Sequence, residues 1–113
     1  TVAACGGMLY LLTALTDTEG HRRALLGVLP GEALMAPRLS GLGVLSAAFP
    51  FGEVRGHTFH YSSSQIRAES TLNALHPVHG KLEAVYQQGR LLASYVHWYL
   101  GDEPEACLAW FKP

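Results

Sequence analysis

Cys5 is followed directly by Gly6 and Gly7, and six histidines (His21, His57, His60, His76, His79 and His97) are spread along the 113 residues. A cysteine with a histidine in reach can attack an acyl carbon, the histidine taking the thiol proton and returning it to the leaving group. The surroundings of Cys5 suit that task. Thr1 to Ala4 read as the end of a short apolar strand. Met8 to Leu15 read as a helix, with Met8, Leu11, Leu12 and Leu15 at i, i+3, i+4 and i+7. A strand that turns into a helix through small residues is the pattern of a nucleophile elbow, which pushes one side chain into an open pocket. Gly6 and Gly7 let the backbone bend and leave room for a substrate. The positive end of a helix favours a thiolate, and the amide after the nucleophile points to where an oxyanion would form. The plainer reading of Cys5 is a small buried residue at a Gly-Gly turn.

Among the histidines, His97 follows Ala93-Ser94-Tyr95-Val96 at the end of an expected strand. Ligands of open α/β sheets bind beyond the carboxyl ends of strands, where the elbow also lies. From position alone His97 is equally readable as a surface residue on a strand end. His57 and His60 are three apart on an expected strand and face opposite sides, which makes a poor chelate. Without CxxC or HExxH spacing, no metal site is expected. His76 and His79 flank Pro77 in an expected loop, His21 falls in a polar turn, and Cys107 reads as packing.

The elements that must position these residues follow in order. Thr16 to Gly20 is a polar turn. Arg23 to Leu29 is an expected strand broken by Pro30-Gly31, and Glu32 to Ala36 an expected short strand pairing back. Leu42 to Ala48 is an apolar run and Pro50-Phe51-Gly52 a turn. Glu53 to Ser62 alternates, with Val54, Gly56, Thr58 and His60 on one side and Arg55, His57, Phe59 and Tyr61 on the other. Ser62 to Ser64 is read as a loosening of the chain, Gln65 to Leu75 has no clear period, and Pro77 to Gly80 is loop. Leu82 to Tyr86 and Leu91 to Tyr99 form an expected hairpin around residues 87–90. The end is helical, with Asp102 and Glu105 as a capping box, Pro104 in the first turn, and Ala106, Cys107, Trp110 and Phe111 on one apolar face. A run of strands without helices implies antiparallel pairing, and the opening strand and helix imply an attached parallel α/β sheet.

The totals exclude several classes. A formal net charge of −1 with scattered basic residues argues against nucleic acid and anionic membranes as partners. Two cysteines make no disulfide framework and suit a reducing compartment, hence the cytoplasm. No run of about 20 apolar residues is present, so no spanning helix is expected. The length suits one domain. The first residues already read as a strand, so further chain is expected ahead of Thr1.

Four segments carry a family resemblance: Cys5-Gly6-Gly7-Met8-Leu9-Tyr10-Leu11, Gly27-Val28-Leu29-Pro30-Gly31, Arg55-Gly56-His57-Thr58-Phe59-His60-Tyr61-Ser62, and Ala93-Ser94-Tyr95-Val96-His97. Their order and spacing resemble the C-terminal part of the cobyrinic acid a,c-diamide synthase family. The resemblance runs nearly the whole chain, and the Arg-Gly-His segment is its most specific part. It implies an α/β fold: the C-terminal half of a class I, flavodoxin-like glutamine amidotransferase domain with a strand-rich mixed or antiparallel section, residues 1–113 being a partial domain. It implies Cys5 as the nucleophile on the side-chain amide of glutamine, His97 as its base, Gly6 and Gly7 at the oxyanion, and Arg55, His57 and His60 as substrate-side or structural residues. It implies no cofactor within these residues. An upstream domain would use Mg and ATP to activate the a and c carboxylates of cobyrinic or hydrogenobyrinic acid for ammonia released here. The partners implied are glutamine, the corrinoid precursor and the upstream half of the chain, with a homodimer left open.

The sequence departs from the family pattern at Ala4 and Thr58, where Glu is usual, and at Tyr99, where many class I relatives carry the Glu of a triad. A Cys-His pair is therefore the expected apparatus. The alternatives are an amidase of another tetrapyrrole, such as nickel-sirohydrochlorin, or a non-catalytic docking module that keeps the fold. Residues 1–113 alone are expected to lack activity.

Overall fold

A computed structural model describes residues 2–67, 70–75, 82–101 and 103–111. The elements in chain order are β1 (Val2–Ala4), α1 (Gly6–Leu11), β2 (Leu12–Thr16), β3 (Arg22–Ala24), β4 (Leu29–Met35), β5 (Gly41–Phe49), β6 (Gly52–His60), β7 (Ser62–Ile66), β8 (Ser70–Leu75), β9 (Leu82–Gln88), β10 (Leu91–Ser94), β11 (His97–Trp98) and α2 (Pro104–Leu108), followed by a 3-10 turn, Ala109–Phe111. The larger sheet has the order β1-β10-β9-β8-β5-β6-β11, and the smaller one β3-β2-β4-β7. Pairing is parallel between β1 and β10 and between β2 and β4, and antiparallel in the remaining pairs. The domain is thus a strand-rich mixed α/β unit. Among the described residues no helix is long and apolar enough to cross a membrane.

The larger sheet is strongly curled, and the chain shows why. β10 and β11 occupy its second and seventh positions, yet only Tyr95 and Val96 separate them. Five strand spacings in a flat sheet would span roughly 24 Å. Three Cα steps reach at most about 11 Å. The sheet must bend until its two ends nearly meet. Inside the curl lies a core of Leu45, Ala47, Phe49, Val54, Ala74, Val85, Leu92, Val96, Trp98, Ala106 and Cys107. Phe49 holds Trp98 and Trp110 edge-on, with ring centroids 5.3 and 5.1 Å away, a favoured aromatic geometry. A second core of Ala3, Met8, Leu12, Leu29, Ala33, Ala93 and Tyr95 joins the two sheets to α1. Leu92 and Ala93 alternate between these cores, which makes β10 an apolar strand buried on both faces.

Several expectations hold. The β5–β6 hairpin turns at 50–51, and the β9–β10 hairpin turns at Gly89 with a positive φ of 59°. β6 alternates as read, with Val54, Gly56, Thr58 and His60 buried and Arg55, His57 and Phe59 exposed. The polar turn after β2 is built on Asp17, whose carboxylate accepts the amides of Glu19 and His21.

Other expectations are corrected. The first helix ends at Leu11 rather than Leu15, because Leu12 is extended (φ −70°, ψ 168°) and Leu12 and Ala14 alternate into the core of a strand. The strand expected over Arg23 to Leu29 is confined to Arg22–Ala24; Gly27, at φ 69°, lies in the link that follows. Pro30-Gly31 does not break a strand. It sits inside β4, where the register slips between Leu12/Leu29 and Ala14/Glu32, a bulge that tolerates proline. Glu32 onward pairs with β2 and β7, not with β3. Ser62 to Ser64 is no loosening but the start of β7, in register with β4 from Met35↔Ser62 to Gly31↔Ile66. The N-cap of α2 is Glu103, with no side-chain cap hydrogen bond, and Pro104 opens the helix, while the expected cap, Asp102, lies outside the described residues. Ala106 and Cys107 are buried, but Phe111 is exposed. Thr1, the His76 to Gly80 loop and Asp102 fall outside the described residues.

β4 and β7 lie close at Gly31. A Cβ there would stand 2.5 Å from the Gln65 carbonyl oxygen and 2.8 Å from Ile66 Cα. Gly31→Ala should therefore destabilise the domain by about 1–3 kcal/mol, measured as a lower thermal or denaturant midpoint. An unchanged midpoint would mean that the two strands are held further apart.

Candidate active site

The curl of the larger sheet brings its first strand to its sixth. Cys5 follows β1 and has φ 50° and ψ −111°; among the described residues no other non-glycine residue has a positive φ. Such a conformation costs on the order of 1–3 kcal/mol and persists where the surroundings fix it. Here they do. The Cys5 amide donates to the Ser94 carbonyl at 2.8 Å, continuing the β1–β10 pairing, and the Cys5 carbonyl accepts the Leu9 amide at 3.1 Å from the first turn of α1. The thiol is half-exposed and points at the Phe59 carbonyl, 3.9 Å away on β6. Gly6 and Gly7 form the start of α1, and a Cβ on Gly6 would meet nothing within 4 Å. The space beside the elbow is open, and the first amides of a helix have no acceptor within it.

His97 opens β11 rather than ending a long strand, and it pairs across from His57 on β6. The two imidazoles stack with centroids 4.9 Å apart and planes 15° from parallel. Tyr99 stands 5.7 Å from His57, and its amide donates to the Arg55 carbonyl at 2.8 Å. Burial first, and the positive charge that His57 can carry second, hold the His97 pKa below histidine's ordinary value. Its ring is thus neutral, and able to take a proton, down to lower pH than a free histidine. Among the described residues no carboxylate pairs with His97, and no hydrogen bond joins it to Cys5. Gly56 makes the stack feasible: a Cβ there would lie 2.5 Å from the His97 carbonyl oxygen and 2.6 Å from Val96 Cγ1. This requirement for glycine is the part of the Arg-Gly-His segment that spacing alone did not explain.

The structure turns His60 away from this face and leaves Arg55 on it. His60 points inward and is 8% exposed. Its Nδ1 lies 2.8 Å from the Ser62 carbonyl and its Nε2 3.1 Å from Glu83 Oε1, so both ring nitrogens face acceptors. The ring also stacks on Tyr95 at 3.6 Å, and the Ser62 hydroxyl donates to the Tyr95 hydroxyl oxygen at 3.0 Å. His60 is thus held by Glu83, Ser62 and Tyr95, which sequence reasoning did not single out. Arg55 shares the outer side of β6 with His57. Thr58 is buried on the inner side, its hydroxyl without a partner among the described residues. His21 pairs with Asp17 on the surface, and Cys107 packs in the first core. Among the described residues no group of three or more His, Cys, Asp or Glu could hold a metal ion.

Residues 1–105 match the model of the CobB/CobQ-like glutamine amidotransferase domain. The chain is 46% identical over 113 residues to the hydrogenobyrinate a,c-diamide synthase of Stutzerimonas stutzeri (strain A1501), with 99% of this chain and 26% of that protein covered. It is 45% identical over 114 residues to the hydrogenobyrinate a,c-diamide synthase of Pseudomonas aeruginosa, with the same coverage. To the cobyrinate a,c-diamide synthase of Herminiimonas arsenicoxydans it is 41% identical over 115 residues, again covering 99% of this chain and 26% of that protein. The chain thus spans about a quarter of the length of these curated relatives.

Gly56→Ala should push β11 off β6 and part the two imidazoles. The expected result is the loss of ring-to-ring nuclear Overhauser effects between His57 and His97, with destabilisation of about 1–3 kcal/mol. Retention of those effects at unchanged stability would show that the strands have room for a methyl group.

Proposed function

Because this chain belongs to the CobB/CobQ-like glutamine amidotransferase family, we propose that it carries the glutamine-hydrolysing centre of an enzyme that amidates a corrinoid precursor. The observation that carries this reading is the backbone of Cys5, a non-glycine residue held at positive φ on a strand-to-helix corner with its thiol beside an open space. Buried packing cysteines need no such strain.

In this reading His97 takes the Cys5 proton, and the thiolate attacks the side-chain carbonyl carbon of glutamine. The C–S bond forms as the carbonyl π electrons move to oxygen, and the oxyanion faces the Gly6 amide. The His97 imidazolium protonates the amide nitrogen, the C–N bond breaks, and ammonia leaves. Water then attacks the thioester, giving up its proton to His97, and glutamate and the thiol are regenerated. The thiol must first turn from the Phe59 carbonyl towards His97. Such bonds are commonly long in ligand-free sites and tighten with substrate. The lowered His97 pKa suits the part of base, since the neutral ring is the form that accepts a proton.

The acceptor is read from the relatives. Two of them, at 46% and 45% identity, are named hydrogenobyrinate a,c-diamide synthases. That favours a metal-free corrinoid, amidated at its a and c carboxylates, over one already holding cobalt. The activation chemistry, with Mg and ATP, belongs in this proposal to chain beyond the residues described, and the released ammonia is the link to it.

In the full-length protein, Cys5→Ser should abolish glutamine-dependent amidation and leave amidation from added ammonium salt, since only ammonia release needs the thiolate. His97→Ala should lower glutaminase turnover by roughly 10²-fold or more, the usual scale for a general acid–base group. Glutamate release and corrin amide formation, followed by chromatography with each nitrogen source, separate the outcomes. Failure of ammonium to rescue Cys5→Ser would make Cys5 a structural residue and overturn the reading.

A further inference from the structure

The His57–His97 stack uses a histidine for which the hydrolysis above has no part. His57 sits on the outer side of β6, exposed, directly across from His97 in the β6–β11 register. Its ring is 4.9 Å from that of His97 and 5.7 Å from that of Tyr99. Among the described residues β11, two residues long, is tied to β6 alone in the sheet. A side chain at its first residue would otherwise be free to turn about two side-chain torsions. We propose that His57 is a positioning residue for His97, its ring lying against the His97 ring so as to set the plane in which that imidazole meets the thiol. The proposal rests on the reading of His97 as the base.

The geometry supports this in three ways. The near-parallel planes, 15° apart, leave His97 its ring edge, with both nitrogens, for proton transfer. Gly56 is what lets β11 approach closely enough for the stack, and no side chain could occupy that position without moving the His97 carbonyl. His57 can also carry charge, and two imidazolium rings at this separation repel, so His57 disfavours protonation of His97 after burial has done so. Among the described residues, the other titratable or charged groups on this side are Glu53, Arg55 and Tyr61 along and just after β6, and Tyr99 after β11, while the Cys5 thiol lies by the Phe59 carbonyl. His57 is distinct among these in lying ring to ring with His97.

Two substitutions in the full-length protein separate position from charge. His57→Ala removes ring and charge; turnover on glutamine should fall about tenfold, within the range expected when a catalytic group is loosened, with KM changed less than about twofold. His57→Gln keeps a flat polar group without a titratable proton. It should restore most of the plateau turnover, while the acid side of its kcat/KM profile moves to higher pH. The sign follows from the charge: without a second imidazolium beside it, His97 gains its proton at higher pH and is lost as a base earlier on acidification. The His97 ring itself, followed by NMR titration, should move in the same direction in both variants. Unaltered turnover and pH profile in both variants, or an unmoved His97 titration, would overturn the positioning role. A moved titration beside an unmoved rate profile would instead overturn His97 as the base, and the proposal with it.

Discussion

The two residues Tyr95 and Val96 set the shape of the domain. They join strands at the second and seventh positions of one sheet, and that short tether forces the sheet to close on itself. Each serves the closure with its own side chain. Val96 is fully buried in the core inside the curl, and Tyr95 is buried in the core between the sheets. The surroundings of Cys5 and His97 are a consequence. β1 ends where β6 passes, so the Cys5 thiol comes to the Phe59 carbonyl, and the chain leaving the tether places His97 against His57. Two contacts between segments far apart in sequence thus form along β6: Cys5 with the Phe59 carbonyl, and His97 with His57.

A polar network braces the tether from behind. His60 stacks on Tyr95, reaches Glu83 on β9 and the Ser62 carbonyl on β7, and Ser62 bonds Tyr95 in turn. The groups concerned are 7% and 16% exposed in the case of the His60–Glu83 pair. Such a pair contributes little net stability against a well-packed apolar equivalent, but breaking it strands a buried polar group. Its effect here is to fix where two sheets meet, immediately before His97. The alternation of β6 thus divides labour: His60 turned inward holds the tether, and His57 turned outward lies on the open face.

The face assignments on β6 were legible because strand alternation has a period of two and the segment is long enough to display it. The elbow was legible from Cys5-Gly6-Gly7, since a tight corner needs small residues. What misled was periodicity over short stretches. Met8, Leu11, Leu12 and Leu15 fit a helix, but Leu12 and Ala14 also fit alternation, and pairing with β3 and β4 decided for the strand. Pro30-Gly31 reads locally as a stop; only the bulge opposite Thr13 makes it tolerable inside β4. The serines of β7 have weak strand preference and are extended because β4 supplies an open edge. The Glu83 partnership could not be read from sequence at all, as it depends on the curl that carries β9 to His60.

The site's departures from the family pattern acquire a location in this frame. Thr58, where Glu is usual, lies on the inner side of β6 together with His60, two residues along the same face. Side chains so placed are about 7 Å apart along the strand. A carboxylate at 58 would enter the interior near the His60–Glu83 pair, on the far side of β6 from the His57–His97 stack. With threonine the position is 3% exposed and its hydroxyl lacks a partner among the described residues. An unsatisfied buried hydroxyl costs roughly 1–3 kcal/mol, so the exchange bears first on the packing and charge balance of the brace. The outer side of β6 keeps its two stacked imidazoles. Threonine at 58 therefore bears on the interior behind β6 and leaves the His57–His97 stack on its outer side untouched.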